Sequence, residues 1–523
     1  MDKDILDAVQ ASVPQYNEYL LRTFMNEQVD GAADFIDIMF REAVKLFSGV
    51  ITYRGYRVMS PEARAEYELQ EHKGCRVTTS DLLLVEYVFV HAGIERFVPL
   101  YIPYLYNDVM RIEDTRYVLQ RSVKEQAFSR VNHGVIMKVL RQPIPFYSIQ
   151  PYRLDSVTDA WSSNETVPTT SVYRGARSAG GGKVPNTTII LYLLCKYGFI
   201  GTLARFELTP EDCAFTNLVL NTDTDVYRYF PAKFTKNRTQ SVDIYLKVRK
   251  DRLYDPVITK LIASILYTLT QPFYQKHTVE SLYDPSGMVF RIMLGKIANG
   301  ANVNDIQAAS KTITHISSVD SYLDPITQTR LQSYGIVVND IYDVFQYVFC
   351  KIEQLTLVRH TDLYASRIDY LEDLLVDTIV RVVYGRWYDA LKRLGSMDID
   401  PSKYTDKEVK RILGIPPGLI TKVYDSRVVQ KNPPTHNDNA LVSWFIQKIR
   451  QSGRSKSGRI IRSEDHRFDP SMLPVESVLA FSKTNPGAAG AINPYVKITP
   501  NGSINRAAMD YADEIDELAK YLP

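Results

Sequence analysis

A chain of 523 residues exceeds what one core usually organises, so several domains are expected. Hydrophobic residues at 45% and charged residues at 23% exclude long disorder and indicate packed globular domains. With 62 basic against 60 acidic residues, global charge excludes bulk attraction to a polyanion, and any such binding has to come from local patches.

Residues 15–48 predict two helices. In the second, Phe35, Met39, Ala43 and Leu46 recur at helical spacing, with Asp30 placed to cap the start and Gly49 to end it. Ser60-Pro61-Glu62 opens a short helix through a serine cap and a proline at its first position. From Leu82 the pattern turns to strand. Leu83–Phe89, Phe97–Tyr106, Arg116–Lys124 and Val135–Leu140 are short runs rich in Val, Ile, Tyr and Phe between turn residues, which predicts a mixed or antiparallel sheet. Residues 154–186 read as a polar connection holding a glycine-rich loop from Gly175 to Lys183.

Thr187–Phe199 predicts a buried helix, Val226–Phe234 and Ser241–Arg249 strands, and Val257–Thr270 and Met288–Ile297 helices. Beyond Val337 the pattern is helical, over Ile341–Leu357 and Leu363–Leu394. Thr405-Asp406-Lys407-Glu408 is a capping box for a short helix ending near Gly414. Asn439–Gln451 and Arg506–Leu522 predict two more helices, separated by a basic stretch and a Pro/Gly/Asn-rich segment. The expected fold class is α+β, with a mixed α/β N-terminal half and a mainly helical C-terminal half. The expected divisions are a helical N-terminal arm over 1–80, a β-rich domain over 81–185, a mixed α/β domain over 186–335, a helical domain over 336–400, and a helical C-terminal domain over 401–523.

Chemistry-bearing motifs are scarce. The loop ending at Lys183 departs twice from a phosphate-cradling loop, because Arg177 stands where the first glycine belongs and Val184 replaces the metal-binding hydroxyl. The four cysteines, Cys75, Cys195, Cys213 and Cys350, are far apart, as reduced thiols of a cytosolic protein would be. The histidines, among them His91, His133, His315, His360 and His466, form no pair with metal-ligand spacing. Asp398 and Asp400 sit in a turn before Pro401, where a solvated cap is the simpler account. No metal, cofactor or catalytic residue is therefore expected. Nor is a membrane partner or secretion, since the chain opens Met1-Asp2-Lys3-Asp4 and lacks an apolar run of the ~20 residues a span needs.

Two stretches point to nucleic acid. Lys448, Arg450, Arg454, Lys456, Arg459 and Arg462 follow one another with no acid between them and with serine and glycine as spacers, so the backbone could track a phosphate chain. A solvated basic loop would carry the same letters. Tyr227-Arg228-Tyr229-Phe230, continuing through Lys233, Phe234, Lys236 and Arg238, alternates aromatics with cations, as surfaces for unpaired strands do. A half-buried strand would alternate in the same way. The 35 tyrosines, rigid apolar faces with polar tips, suit binding surfaces generally.

The C-terminal blocks Phe468-Asp469-Pro470-Ser471, Val475-Glu476-Ser477-Val478-Leu479, Ser482-Lys483-Thr484-Asn485-Pro486-Gly487 and Ile492-Asn493-Pro494-Tyr495 carry a resemblance, as do Leu100–Tyr104 and Arg116–Leu119. Together they resemble the accessory, promoter-specificity-type subunit of the multisubunit non-virion RNA polymerase of phiKZ-like giant phages. The resemblance implies a non-catalytic subunit bound to β- and β′-like polymerase subunits and to promoter DNA, in a role like that of a sigma factor. It also implies work in the host cell interior, in the cytoplasm or a phage-induced nucleus-like compartment. A phage structural or assembly protein of a capsid, tail or intracellular shell fits the composition as the alternative.

Overall fold

The computed structural model describes residues 29–47, 49–71, 82–103, 110–112, 115–119, 122–131, 134–140, 143–149, 167–170, 187–217, 224–233, 244–270, 276–300, 302–357, 363–368, 383, 386–387, 404–419, 428–430, 450–451, 499 and 502–504. They fall into two compact units, one made of 1–126 with 359–523 and the other of 127–358.

The first unit opens with α1 (Val29–Val44), which tightens into a 3-10 turn through Phe47. Its buried stripe is Ala32, Phe35, Ile36, Met39, Phe40 and Ala43, the spacing of one helical face. Asp30, expected as the cap, falls one residue inside the helix. Strand β1 (Ile51–Val58) follows, then α2 (Pro61–Glu71), β2 (Leu82–His91) and β3 (Ile94–Pro103). The three strands form an antiparallel meander in which Tyr53 faces Phe89 and Val85 faces Leu100. The β2–β3 turn needs a left-handed backbone at both central residues, Ala92 and Gly93, as a two-residue hairpin does. Strand β1 was not expected from the pattern, because arginines occupy its solvent positions along a sheet edge. The hydroxyls of Tyr53 and Tyr56 donate to Asp37 and Asp34 of α1, each at 2.7 Å, and fasten helix to sheet. Burial and the Asp37 carboxylate push the Tyr53 phenol well above its ordinary pKa, so it stays a donor. Strands β4 (Met110–Ile112), β5 (Thr115–Leu119) and β6 (Ser122–Glu125) complete this part.

The second unit begins with β7 (Phe128–Val131), β8 (Gly134–Lys138), β9 (Pro143–Ile149), β10 (Val167–Thr170) and β11 (Thr187–Thr188). They make one antiparallel sheet in the order β11-β10-β9-β8-β7. Strand β10 lies within the stretch expected to be a polar connection. Its threonines can be buried because the Thr169 hydroxyl donates to the Tyr147 carbonyl at 3.3 Å and the Thr170 hydroxyl to the Pro145 carbonyl at 2.8 Å, while Thr187 of β11 donates to the Thr170 carbonyl at 3.1 Å. The glycine-rich loop itself lies outside the described residues.

Helix α3 (Ile189–Arg205) buries its first seven residues outright. Thr188 caps it, accepting from the Leu191 amide at 3.1 Å. At Gly198 the helix breaks, with φ +68 and ψ −175, a left-handed backbone that favours glycine, beside the backbone carbonyls of Asp284 and Pro285. Strands β12 (Cys213–Thr216), β13 (Tyr227–Lys233) and β14 (Ile244–Arg249) form a second antiparallel sheet, ordered β12-β14-β13. Helices α4 (Pro256–Thr270), α5 (Val279–Leu282), α6 (Met288–Asn299), α7 (Asp305–Asp320), α8 (Pro325–Ser333) and α9 (Ile341–Leu357) follow. Their apolar faces close one core around Leu193, Leu203, Leu266, Phe290, Phe345 and Phe349. Helices α7 and α8 were not anticipated, since α7 is rich in hydroxyl residues. These satisfy themselves on the preceding turn, as when Thr312 donates to the Ala308 carbonyl at 3.0 Å.

The chain then returns to the first unit. Leu363–Ala365 is a 3-10 turn and β15 (Ser366–Ile368) pairs antiparallel with β6. The helix expected from Leu363 is thus corrected at its start: the backbone groups of 366–368 are taken by a sheet edge, which outweighs weak helical periodicity. The capping box is present as expected, with the Thr405 hydroxyl and Glu408 carboxylate closing on each other's amides at the start of α10 (Asp406–Leu413). Strand β16 (Val428–Gln430) pairs antiparallel with β5, and β17 (Arg450–Gln451) parallel with β6. Arg450 and Gln451, expected to end a helix, are therefore extended. Trp387 sits fully buried among Phe40, Phe47 and Phe89.

Candidate nucleic-acid interface

Of the two stretches singled out above, the described residues include part of the second in detail. Strand β13 carries Tyr227 to Lys233, with side chains alternating across the sheet up to the break in register after Pro231. Phe230 and Ala232 point to the core, joined there by Cys213 and Phe215 of β12 and by Ile244, Leu246 and Val248 of β14. This inner face is anchored by aromatic packing, with Phe215 4.4 Å from Phe199 of α3 between ring centroids. The Tyr283 hydroxyl accepts from the Phe215 amide at 2.8 Å. Burial pushes the Cys213 thiol up to about 12, which makes it a packing side chain and not a nucleophile.

The outer face is of a different kind. Direct cross-strand partners share a face, so the pairs Tyr227 with Arg249, Tyr229 with Lys247 and Pro231 with Tyr245 lie together. All six are partly exposed. The Lys247 ammonium sits 3.7 Å from the centre of the Tyr227 ring, a cation–π contact of about 0.5–2 kcal/mol. Among the described residues no carboxylate pairs with Lys247. Arg249, by contrast, pairs with Asp251 and lies 3.5 Å from Asp212. The face therefore offers three tyrosine rings, one proline and one ammonium that no described carboxylate neutralises.

Asp212 holds this sheet in position. It is buried at the turn before β12, where it accepts from the amide and hydroxyl of Thr209 at 3.0 and 2.9 Å and from the Arg252 guanidinium at 3.1 Å. Its own carbonyl accepts from the Arg249 amide at 2.9 Å. At the same end of the sheet the Tyr227 amide, at the start of β13, donates to the Thr224 hydroxyl at 2.9 Å. Burial pushes the Asp212 carboxyl up, but the Thr209 donors and the Arg252 cation more than offset it and hold it below the usual carboxylate range. A folded pKa below the unfolded one gives stability that is present at neutral pH and lost as pH falls through the acid range below about 4. Asp212→Ala is expected to lower unfolding stability at pH 7 by about 2–3 kcal/mol, the cost of hydrogen bonds to a charged group. Urea unfolding at pH 7 and pH 3 checks this, because the gap between variant and parent should narrow at the lower pH.

Lys233 ends β13 opposite Ile244, after a break in register at Pro231. Phe234, Lys236 and Arg238 lie outside the described residues, as do Lys448, Arg454, Lys456, Arg459 and Arg462. Arg450 is placed on β17, beside Ser122 of β6. The structure thus adds residues to the candidate face that the sequence pattern did not single out, namely Tyr245 and Lys247. Their signal was available in the alternation Ile244, Leu246, Val248 against Tyr245, Lys247, Arg249.

Among the described residues no group of three or more His, Cys, Asp or Glu side chains could hold a metal ion, and no helix is long and apolar enough to cross a membrane. No curated protein matches the chain. The family model described as non-virion RNA polymerase subunit matches residues 1–518, nearly the whole length, and the chain belongs to that family.

Proposed function

We propose that this polymerase subunit is the non-catalytic, promoter-binding member of a phage multisubunit DNA-directed RNA polymerase, contributing to transcription initiation while docked on β- and β′-like subunits inside the host cell. Membership in the family makes other polymerase subunits its partners and sets aside the alternative of a capsid, tail or shell protein. The observation that supports the DNA-binding part is the outer face of β12-β14-β13, with its tyrosines around Lys247, and the sequence after β13 carries the further aromatic and cationic letters Phe234, Lys236 and Arg238. Rings and cations in one place serve a ligand with bases and phosphates. The six cationic side chains from Lys448 to Arg462 supply further charge for the phosphate chain.

The test is a polymerase assembled with this subunit in which Lys448, Arg450, Arg454, Lys456, Arg459 and Arg462 are all replaced by serine. Assembly should be unchanged, while the dependence of promoter-duplex affinity on salt should flatten by about 0.9 in logarithmic slope for each phosphate deprived of its cation. A variant that keeps the parent's slope and affinity would remove this stretch from the DNA-binding surface.

A further inference from the structure

We infer that the outer face of the β12-β14-β13 sheet is a stacking platform for the unpaired bases of single-stranded DNA, with Tyr229 and Tyr245 as base-stacking side chains and Lys247 as a phosphate contact. The inference rests on the promoter-binding reading for its choice of DNA, and it adds which state of the DNA is bound and by which residues.

Spacing is the main argument. The Tyr227 ring carries the Lys247 ammonium, so the spacing that matters is that of Tyr229 and Tyr245, diagonal neighbours on adjacent strands about 7–8 Å apart. Stacked bases in a duplex repeat at about 3.4 Å along each strand. Bases lying on these two tyrosines are therefore pulled off one another, which paired DNA does not allow and a single strand does. Tyr245 extends the surface onto the central strand, where it faces Pro231.

Charge supports the same occupant. Lys247 faces Tyr229 directly across the strands and its ammonium rests on the Tyr227 ring, so a cation is held at the level of the rings. An apolar protein partner would leave that ammonium desolvated and without a counter-charge, whereas a phosphate supplies one. The inner face of the same strands is filled by Phe215, Phe230, Leu246 and Val248, so the rings on the outer face are held by a sheet that is itself fixed to the core. Such preorganisation reduces the ordering cost of binding.

The experiment uses the full chain and fluorescent oligothymidylate, read by anisotropy across a range of salt. Tyr229→Leu and Tyr245→Leu should each weaken binding about tenfold, and together about a hundredfold, with the salt slope unchanged. Tyr229→Phe and Tyr245→Phe keep the ring and should bind like the parent. Lys247→Met should lower the logarithmic salt slope by about 0.7, the value for one phosphate of a single strand. In the assembled polymerase, a bromodeoxyuridine-bearing single strand should photocrosslink to Tyr229 or Tyr245.

The inference is overturned if the leucine variants bind oligothymidylate as the parent does, if the phenylalanine variants lose binding equally, or if the parent binds none. It is also overturned if oligouridylate displaces the DNA at lower concentration than oligothymidylate does, since the platform would then serve RNA. Should the serine variant of the basic stretch weaken duplex binding while the leucine pair leaves the single strand bound, the promoter-binding reading stands and this inference fails. The opposite pair of results leaves the platform standing and removes the basic stretch.

Discussion

Gly295→Val should abolish the native packing of the second unit. A β-carbon at Gly295 would stand 2.9 Å from the Ala308 Cα and closer still to that residue's carbonyl, so α6 and α7 approach backbone to backbone at this point. The contact is fastened by Lys296, whose ammonium lies 2.6 Å from Asp305 at the start of α7. Nothing in a rigid backbone can yield as the end of a flexible side chain would. Even Gly295→Ala, which in an exposed helix would add about 1 kcal/mol of stability, should here cost about 1–3 kcal/mol, because overpacking outweighs the gain in helix propensity. The larger valine should approach the whole stability of a domain, about 5–15 kcal/mol. Hydrogen exchange of peptides from α6 and α7 in the full chain reads the effect locally. Protection equal to the parent's in both variants would mean that the two helices do not meet at Gly295.

Trp387→Ala should be the most damaging truncation in the first unit, at about 3–5 kcal/mol. Its indole is fully buried and stacks on Phe40 at 5.8 Å with an interplanar angle of 21°. It meets Phe47 edge-on at 5.3 Å and Phe89 at 5.8 Å, so α1, its 3-10 extension and β2 are all deprived of a neighbour together. The indole N–H also donates to the Ile412 carbonyl at 2.7 Å, which ties α10 into the same cluster. Trp387→Phe should recover most of the packing but leave that carbonyl without its donor, for a cost of about 1–3 kcal/mol. The expected result is raised hydrogen exchange in peptides of α1, β2 and α10, graded from Phe to Ala. A change confined to the residues next to position 387 would contradict it.

Several elements were legible from local pattern. Ile341–Leu357 is a helix with the bounds its periodicity predicts, and the Thr405/Glu408 box starts α10. The strands from Leu82 and Phe97, the helix from Pro61 and the strands before and after residue 240 were legible in the same way. Two of the misses share a cause, the satisfaction of polar groups by partners that the linear pattern does not reveal. Strand β10 looked like a polar connection until its threonine hydroxyls found carbonyls across the sheet. The hydroxyl-rich α7 is held by Asn304 as its cap and by an inner row of Ala308, Thr312, Ile316 and Val319. On the candidate face, the alternating letters of β13 showed a strand with rings and cations, but not which side the core would take.

What the amino-acid order determined here was what depends on near neighbours: the period of apolar residues, the caps, the tyrosine and lysine letters of β13 and β14, and the family resemblance. What only the tertiary structure decided was pairing and sidedness. Strand β6 pairs with β15 and β17, β5 pairs with β16, and Trp387 enters a cluster formed by α1 and β2. Backbone hydrogen bonds join any two extended segments regardless of side chain, so their partners are selected by which faces can be buried together. That same burial of Phe230, Leu246 and Val248 puts Tyr229, Tyr245 and Lys247 on the opposite, partly exposed face of the sheet.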